Sequence, residues 1–234
     1  MVFTDLLNQE YFRHLEYKKE NCKIDLIRNP SSFFSDSEKV NLTNCLLAVA
    51  RDGFGSLIPK SEVENNLFHA DAVYLIEHQN EFKGFCSYKF LDFENQKLLF
   101  LKGVVIKQEL QDLGLFYEIN NRVLKQNELS DTEFDYLVMR TQSPVVYSAS
   151  ETIVKNLYPS KDILSNPTPV SIDKIMDHFV GLSGLTQKDS LIRGLYGRCL
   201  YAKTPKHKNA NNLFNNILRV DYDAGDAVVL VGKL

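Results

Sequence analysis

The sequence predicts an α+β fold, in which helices flank a mixed, mostly antiparallel central sheet. Three segments rich in β-branched and aromatic residues follow one another closely, at Ala72–Glu77, Phe82–Phe90 and Leu98–Ile106. Short polar turns at Gln79–Glu81 and Glu94–Gln96 separate them, so these strands are expected to run antiparallel as hairpins. The third segment is apolar almost throughout, which is typical of a central strand that is covered on both faces.

Two helices are predicted before these strands. Ser35–Glu38 has the pattern of a capping box, and apolar residues then recur at helical spacing until the glycines at 53 and 55. Ser61–Glu64 has a similar pattern and predicts a second N-cap, which opens a short helix through Phe68. Residues 1–20 form a polar lead-in that could be helical.

The rest of the chain continues to alternate between strands and helices. Ser143 is the predicted N-cap of a helix that has Pro144 at its first position and runs through Leu157. The other predicted elements are strands at Lys23–Ile27, Phe134–Met139, Leu191–Tyr201 and Ala227–Val231, and helices from Gly114 to about Asn127, at Ser171–Val180 and around Leu213–Leu218.

Composition narrows the class of protein. The 234 residues are 44% hydrophobic and 24% charged, with a formal net charge of -3 and no basic face, which argues against nucleic-acid binding. No stretch has the eighteen or so apolar residues of a membrane span, and no signal peptide is visible, so a cytoplasmic protein is expected. The four cysteines form no CxxC pair, so neither a metal site nor a disulfide framework is predicted. Cys45 and Cys86 lie in apolar runs and are expected to be buried thiols.

One segment carries a resemblance to a known family. From Val104 to Phe116 the chain reads V-V-I-K-Q-E-L-Q-D-L-G-L-F, with Gln111 and Gly114 at a predicted helix start, just after the apolar strand. This resembles the acetyl-CoA motif of the GNAT superfamily of N-acetyltransferases, Arg/Gln-x-x-Gly-x-Gly/Ala. The element order over about Lys23–Leu157 resembles that superfamily as well. Phe116 departs from the motif, which has Gly or Ala there.

The resemblance implies acetyl-CoA as a co-substrate, with no metal, held at a splayed pair of strands. The residues implied at the cofactor are Val104, Val105 and Ile106 for the pantetheine amides, and Gln111, Asp112, Leu113, Gly114 and Leu115 for the pyrophosphate. A helix start suits this role because its first N–H groups have no partner within the helix and the dipole is positive there. The Phe116 ring would either crowd the phosphates or point into the core.

A catalytic tyrosine is also implied by the resemblance. In this superfamily a tyrosine on the helix after the next strand often protonates the departing thiolate, and here Tyr147 lies one turn past Pro144. A phenol with a pKa of about 10 can protonate a thiolate with a pKa of about 8.5 within hydrogen-bond reach. The alternative is that Tyr147 is a packing residue. Glu77, His78 and Asp52 lie on the expected acceptor side, but a general base stays unassigned.

Two functions follow as hypotheses. The first is an N-acetyltransferase that moves an acetyl group from acetyl-CoA to a primary amine, on a small metabolite or a protein, with a homodimer allowed. The second is a GNAT-like binding or interaction module that binds acyl-CoA without turnover, which Phe116 favours. The expected organisation is a lead-in at 1–22, an acetyl-CoA-binding core at 23–159, and a C-terminal part at 160–234 whose helix and last strands complete the sheet.

Overall fold

The computed structural model describes residues 12–17, 22–55, 58–111, 113–125, 129, 133–165, 167–181, 187–188, 190–201 and 203–234. Its strands are β1 (Phe12–Tyr17), β2 (Cys22–Arg28), β3 (Ala72–His78), β4 (Glu81–Phe93), β5 (Gln96–Ile106), β6 (Tyr136–Thr141), β7 (Asn156–Tyr158), β8 (Gln187–Lys188), β9 (Leu191–Ile192) and β10 (Ala227–Lys233). Its helices are α1 (Pro30–Phe33), α2 (Asp36–Phe54), α3 (Lys60–Phe68), α4 (Leu115–Lys125), α5 (Pro144–Ser150) and α6 (Val170–Gly181), with a 3-10 turn at Gln108–Leu110 and a π-helical turn at Asn212–Ile217. The predicted α+β class with a mostly antiparallel sheet is confirmed, whereas the splay of two strands stays a prediction.

The chain divides into two compact units. The first contains the described residues up to Lys89 together with Leu101–Ile119, and the second contains Phe90–Phe100 and the described residues from Asn120 onward. Neither unit is one continuous stretch, and the predicted boundaries at 22 and 159 stay a prediction.

In the first unit the strands follow one another in chain order, β1-β2-β3-β4-β5. Gln79 and Asn80 both have positive φ, as do Glu94 and Asn95, which is the conformation of two-residue type I′ hairpin turns. The two predicted hairpin turns are therefore confirmed. The capping box of α2 is confirmed as well, because the Ser35 Oγ accepts from the Glu38 amide while the Glu38 carboxylate accepts from the Ser35 amide.

In the second unit the strand order is β5-β6-β10-β9-β8, and β7 also pairs with β10. Strand β10 pairs antiparallel with β6, from Val228 opposite Thr141 to Lys233 opposite Tyr136. One face of these strands packs with α6 into a buried cluster of Leu98, Phe100, Val138, Ile172, Ile175, Met176, Phe179, Val180, Ile192, Val229 and Val231.

Three expectations for the N-terminal part were wrong. Residues Phe12–Tyr17 form a strand rather than a helix, because they pair with Cys22–Ile27 of β2, and that pairing outweighs local propensity. The second capping box does not form, since α3 begins at Lys60, the N-cap position falls on Pro59 and no side chain caps it. Ser61 already lies inside the helix. Cys86 is buried as expected, but Cys45 is exposed because it lies outside the buried stripe of α2.

Two elements of the second unit were predicted too long. Helix α5 ends at Ser150, and Leu157 instead pairs with Gly232 across β7 and β10. The strand predicted at Leu191–Tyr201 ends at Ile192, because Gly194 and Gly197 both adopt a φ of 63°. The Gly194 amide also donates to the Asp226 carboxylate, 2.9 Å away, which turns the chain out of the strand direction.

Candidate functional site

Strand β5 leads into the candidate site and is buried along its centre. Leu98 and Leu99 are fully buried, and Leu101 and Val105 are nearly so, which agrees with the prediction of a central strand. Strand β4 approaches it so closely that a Cβ on Gly84 would stand 2.5 Å from the Val105 carbonyl oxygen. Glycine at that position is therefore required by the close approach of the two backbones.

A tight turn follows the strand. The Lys107 amide donates to the Lys83 carbonyl at 2.8 Å, and the 3-10 turn at Gln108–Leu110 then redirects the chain. The Gln111 side chain folds back, and its Nε2 donates to the Ile106 carbonyl at 2.9 Å. Of the residues implied at the pantetheine, Ile106 therefore has its carbonyl engaged by Gln111.

Gly114 directly precedes α4. Its φ is +81°, and a Cβ there would meet no heavy atom within 4 Å. The Glu118 amide donates to the Gly114 carbonyl at 2.9 Å, so the helical bonding begins at this glycine. The predicted glycine therefore lies at the helix start with open space beside it. Asp112 lies outside the described residues, and Leu113 is half-buried.

Helix α4 packs through the predicted stripe. Leu115, Ile119 and Val123 are all buried, which confirms the stripe. Phe116, in the first turn, is half-buried. Its side chain is thus partly packed and partly open to solvent.

A buried lysine supports the turn electrostatically. Lys83 is buried in β4, and its Nζ lies 2.7 Å from a Glu109 oxygen and 2.9 Å from a Glu81 oxygen. These two hydrogen-bonded carboxylates raise the pKa of Lys83 above its ordinary value, and Lys83 in turn lowers the pKa of both glutamates. Sequence reasoning missed this cluster. The available signal was a lysine between Phe82 and Gly84 in an otherwise apolar strand.

Tyr147 occupies the expected position at the start of α5. The Ser143 Oγ caps this helix, accepting from the amides of Val145 and Val146 as predicted. Tyr147 itself is 0% exposed, its hydroxyl donates to the Pro159 carbonyl at 2.9 Å, and burial raises the pKa of the phenol. The hydroxyl therefore has a backbone partner, so the catalytic role stays a prediction that requires this bond to open.

The three acceptor-side residues do not form one group. Asp52, in the last turn of α2, accepts a hydrogen bond from the Gln108 amide at 2.9 Å. His78 is half-buried, with its Nδ1 3.9 Å from the Cys22 Sγ. For Glu77 the structure gives a backbone pairing with Lys23 in β2.

The acidic stretch Asp221–Asp226 is held by hydrogen bonds of its own. Asp221 accepts from the Ala224 amide at 2.9 Å, and the Asp226 carboxylate accepts from the Asp221 amide at 3.0 Å, so this acidic stretch is a turn before β10. Across the described residues, no three His, Cys, Asp or Glu side chains are grouped as metal ligands would be. Within the same residues, no helix has both the length and the apolar character needed to span a bilayer.

Comparison with known proteins gives matches only among solved structures. No protein-family model and no curated protein matches the sequence. A GNAT family acetyltransferase from Elizabethkingia anophelis, solved with acetyl-CoA bound, is 11% identical over 90% of this chain and 98% of its own, with a TM-score of 0.41. The loading GNATL domain of CurA from Lyngbya majuscula is 14% identical over 90% of this chain and 97% of its own, with a TM-score of 0.42.

A protein from Pyrococcus horikoshii is 12% identical over 61% of this chain, with a TM-score of 0.41, and the chain spans only 46% of that protein. Any statement about function depends on the residues of the chain itself.

Proposed function

We propose that this protein is an N-acetyltransferase that binds acetyl-CoA at the end of β5 and the start of α4. The observation that carries the proposal is the conformation of Gly114, whose φ of +81° is paired with open space where a Cβ would stand. A ligand can therefore approach the backbone at the beginning of a helix of 11 residues. The N–H groups of a helix start attract phosphate, so a pyrophosphate is the group that suits this position.

Several other features support acetyl-CoA as the ligand. The motif residues Gln111 and Gly114 follow the apolar strand β5, which lies between β4 and β6 in the sheet. The order of these elements is that of the GNAT superfamily. Six further residues are proposed to contact the cofactor through their backbones, namely Val104, Val105, Ile106, Asp112, Leu113 and Leu115.

The proposed reaction needs two proton transfers. A neutral primary amine attacks the thioester carbonyl carbon, so that a C–N bond forms while the C–S bond breaks and coenzyme A leaves as a thiolate. The amine gives up its proton to water or a carboxylate, and the thiolate takes one from an acid. Tyr147 is proposed as that acid, which requires its hydroxyl to exchange the Pro159 carbonyl for the thiolate.

The second candidate is a module that binds acyl-CoA without turnover. The buried, hydrogen-bonded hydroxyl of Tyr147 favours it, because a proton donated to a backbone carbonyl is not presented to a ligand. Phe116 favours it too, since its ring occupies the first turn of the helix that would receive the phosphates.

Thermal denaturation with and without acetyl-CoA tests the shared first step. A ligand that binds only the folded state, at a free concentration of about 100 times its Kd, adds roughly 2.7 kcal/mol to the free energy of unfolding. For a chain of this size that corresponds to a rise in Tm of about 5–10 °C. Native mass spectrometry of the purified protein should show bound acyl-CoA, and an amine panel then separates turnover from binding. An unchanged melting curve at millimolar acetyl-CoA refutes the proposal.

A further inference from the structure

The turn between β5 and α4 is held by a residue far away in the sequence. The Gln108 amide donates to the Asp52 carboxylate at 2.9 Å, and the Gln108 Nε2 donates to the Asp52 carbonyl at 3.0 Å. One residue in the last turn of α2 therefore binds both the backbone and the side chain of the first residue of the 3-10 turn. These two hydrogen bonds attach the turn to α2.

The opposite side of the turn is fastened by β4. The Lys107 amide donates to the Lys83 carbonyl at 2.8 Å, and the Lys83 ammonium pairs with Glu109 at 2.7 Å. This side therefore has a backbone hydrogen bond and an ion pair from a buried lysine. The helix side depends on Asp52, which is exposed to solvent.

We propose that Asp52 is a positioning residue for acyl-CoA binding, because it fixes the turn that sets the place of Gln111 and Gly114. This inference rests on the proposed function. Ordering a free loop costs about 1–2 kcal/mol per residue, and a loop that is already ordered does not pay this cost when its ligand binds. Asp52 would thus raise affinity without touching the ligand.

The chemistry of Asp52 distinguishes positioning from direct binding. Its carboxylate is negative, and its charge acts against the ionisation of Glu109 nearby. A negative group also disfavours a phosphate in its surroundings, so any gain in affinity must come from the hydrogen bonds. An asparagine at this position retains an acceptor for the Gln108 amide and loses the charge.

Two substitutions at this position make the test. Asp52→Ala should weaken CoA binding roughly three- to tenfold, as expected for the loss of one exposed hydrogen bond. Asp52→Asn should bind CoA within about twofold of the unchanged protein, or more tightly, because the acceptor is kept and the like charge is removed. Asp36→Ala, at the other end of α2 and fully exposed, is the matched control and should leave affinity unchanged.

The measurements are calorimetry with CoA on the full chain and hydrogen exchange without ligand. Exchange at the Gln108–Gly114 amides should be faster in Asp52→Ala than in Asp52→Asn. The inference is overturned if Asp52→Ala binds CoA as well as the unchanged protein does, or if Asp52→Asn is as weak as Asp52→Ala. If the unchanged protein binds no CoA, the proposed function fails instead, and faster exchange in Asp52→Ala still supports Asp52 as the group that holds the turn.

Discussion

Removing the hydroxyl of Tyr147 should lower stability by an amount that the structure fixes. The phenol is 0% exposed, and its oxygen lies 2.9 Å from the Pro159 carbonyl. Tyr147→Phe keeps the ring and its edge-to-face contact with Phe214, at 5.9 Å between centroids, but leaves the carbonyl without its donor. The loss of that bond, with a buried acceptor left unpaired, costs about 1–3 kcal/mol. The Tm should fall by about 4–8 °C for a loss near 2 kcal/mol.

Urea denaturation of Tyr147→Phe measures this loss directly. The transition midpoint should move to lower urea while the slope stays the same, since the surface exposed on unfolding does not change. Tyr117→Phe is the matched control, because Tyr117 on α4 is 42% exposed whereas Tyr147 is fully buried. That change should stay within about 0.5 kcal/mol. A Tyr147→Phe loss as small as that of the control would refute the buried hydrogen bond.

The same variant decides the catalytic role of Tyr147. Once an amine acceptor is found, a fall in kcat of roughly 10²–10⁴-fold with unchanged acetyl-CoA affinity assigns the proton of the leaving group to this phenol. A fall of less than about threefold assigns Tyr147 to packing alone. Water or Ser150 then becomes the next candidate, and Ser150 itself donates to the Val146 carbonyl at 2.8 Å.

Three further changes test the site and its support. Gly114→Val should weaken acetyl-CoA binding at least about tenfold and cost only about 1–3 kcal/mol of stability, because the side chain enters open space at a positive φ. The control Gly197→Val, with a φ of +63° and equally open space, should lower stability and leave acetyl-CoA affinity unchanged. Equal losses of affinity in the two variants, measured by calorimetry, would contradict the assignment. Glu109→Gln should be less stable than the unchanged protein at neutral pH. Because Lys83 lowers the pKa of the Glu109 carboxyl from 4.5 in the folded state, this difference should shrink as the pH falls below 4.5 and be lost once the pH passes the folded-state pKa. It should also be smaller in a Lys83→Met background, where Lys107 still lies 3.8 Å from the carboxylate, and denaturation at about pH 7 and pH 3.5 measures both effects. Gly225→Ala places a Cβ 2.3 Å from the Gly197 amide nitrogen and should cost more than about 3 kcal/mol, against about 1–2 kcal/mol for Gly197→Ala, so similar denaturation midpoints would contradict the close approach.

Features that depend on neighbouring residues were predicted well from the sequence. The two hairpin turns needed only polar residues between apolar runs, since two successive left-handed residues favour Asn and similar types. The N-cap at Ser143 with Pro144 behind it was placed to the residue, because both act within one helical turn. Gly114 belongs to the same group, since its position at a helix start depends on the local pattern alone.

Features decided by distant partners were predicted poorly. The pattern after Ser150 suits a helix, but β10 offers Leu157 a strand partner 75 residues later in the chain, opposite Gly232. The lead-in at Phe12–Tyr17 has the charge of a surface helix, and its pairing with β2 makes it a strand. In both cases the hydrogen bonds of a sheet outweigh a helical preference that is worth only tenths of a kcal/mol per residue.

In the candidate site, too, the features set by a local motif were predicted and the contacts between distant residues were not. Gln111 and Gly114 could be predicted because a motif fixes their spacing, whereas the bonds from Asp52 to Gln108 join residues 56 positions apart. An aspartate after an arginine at a helix end and a glutamine after a strand are common in any sequence, so no local pattern reveals that they meet. The Lys83–Glu109 pair is hidden for the same reason. The phosphate site at Gln111 and Gly114 is thus a prediction from a local motif, whereas the contacts that hold its turn in place are visible only in the folded chain.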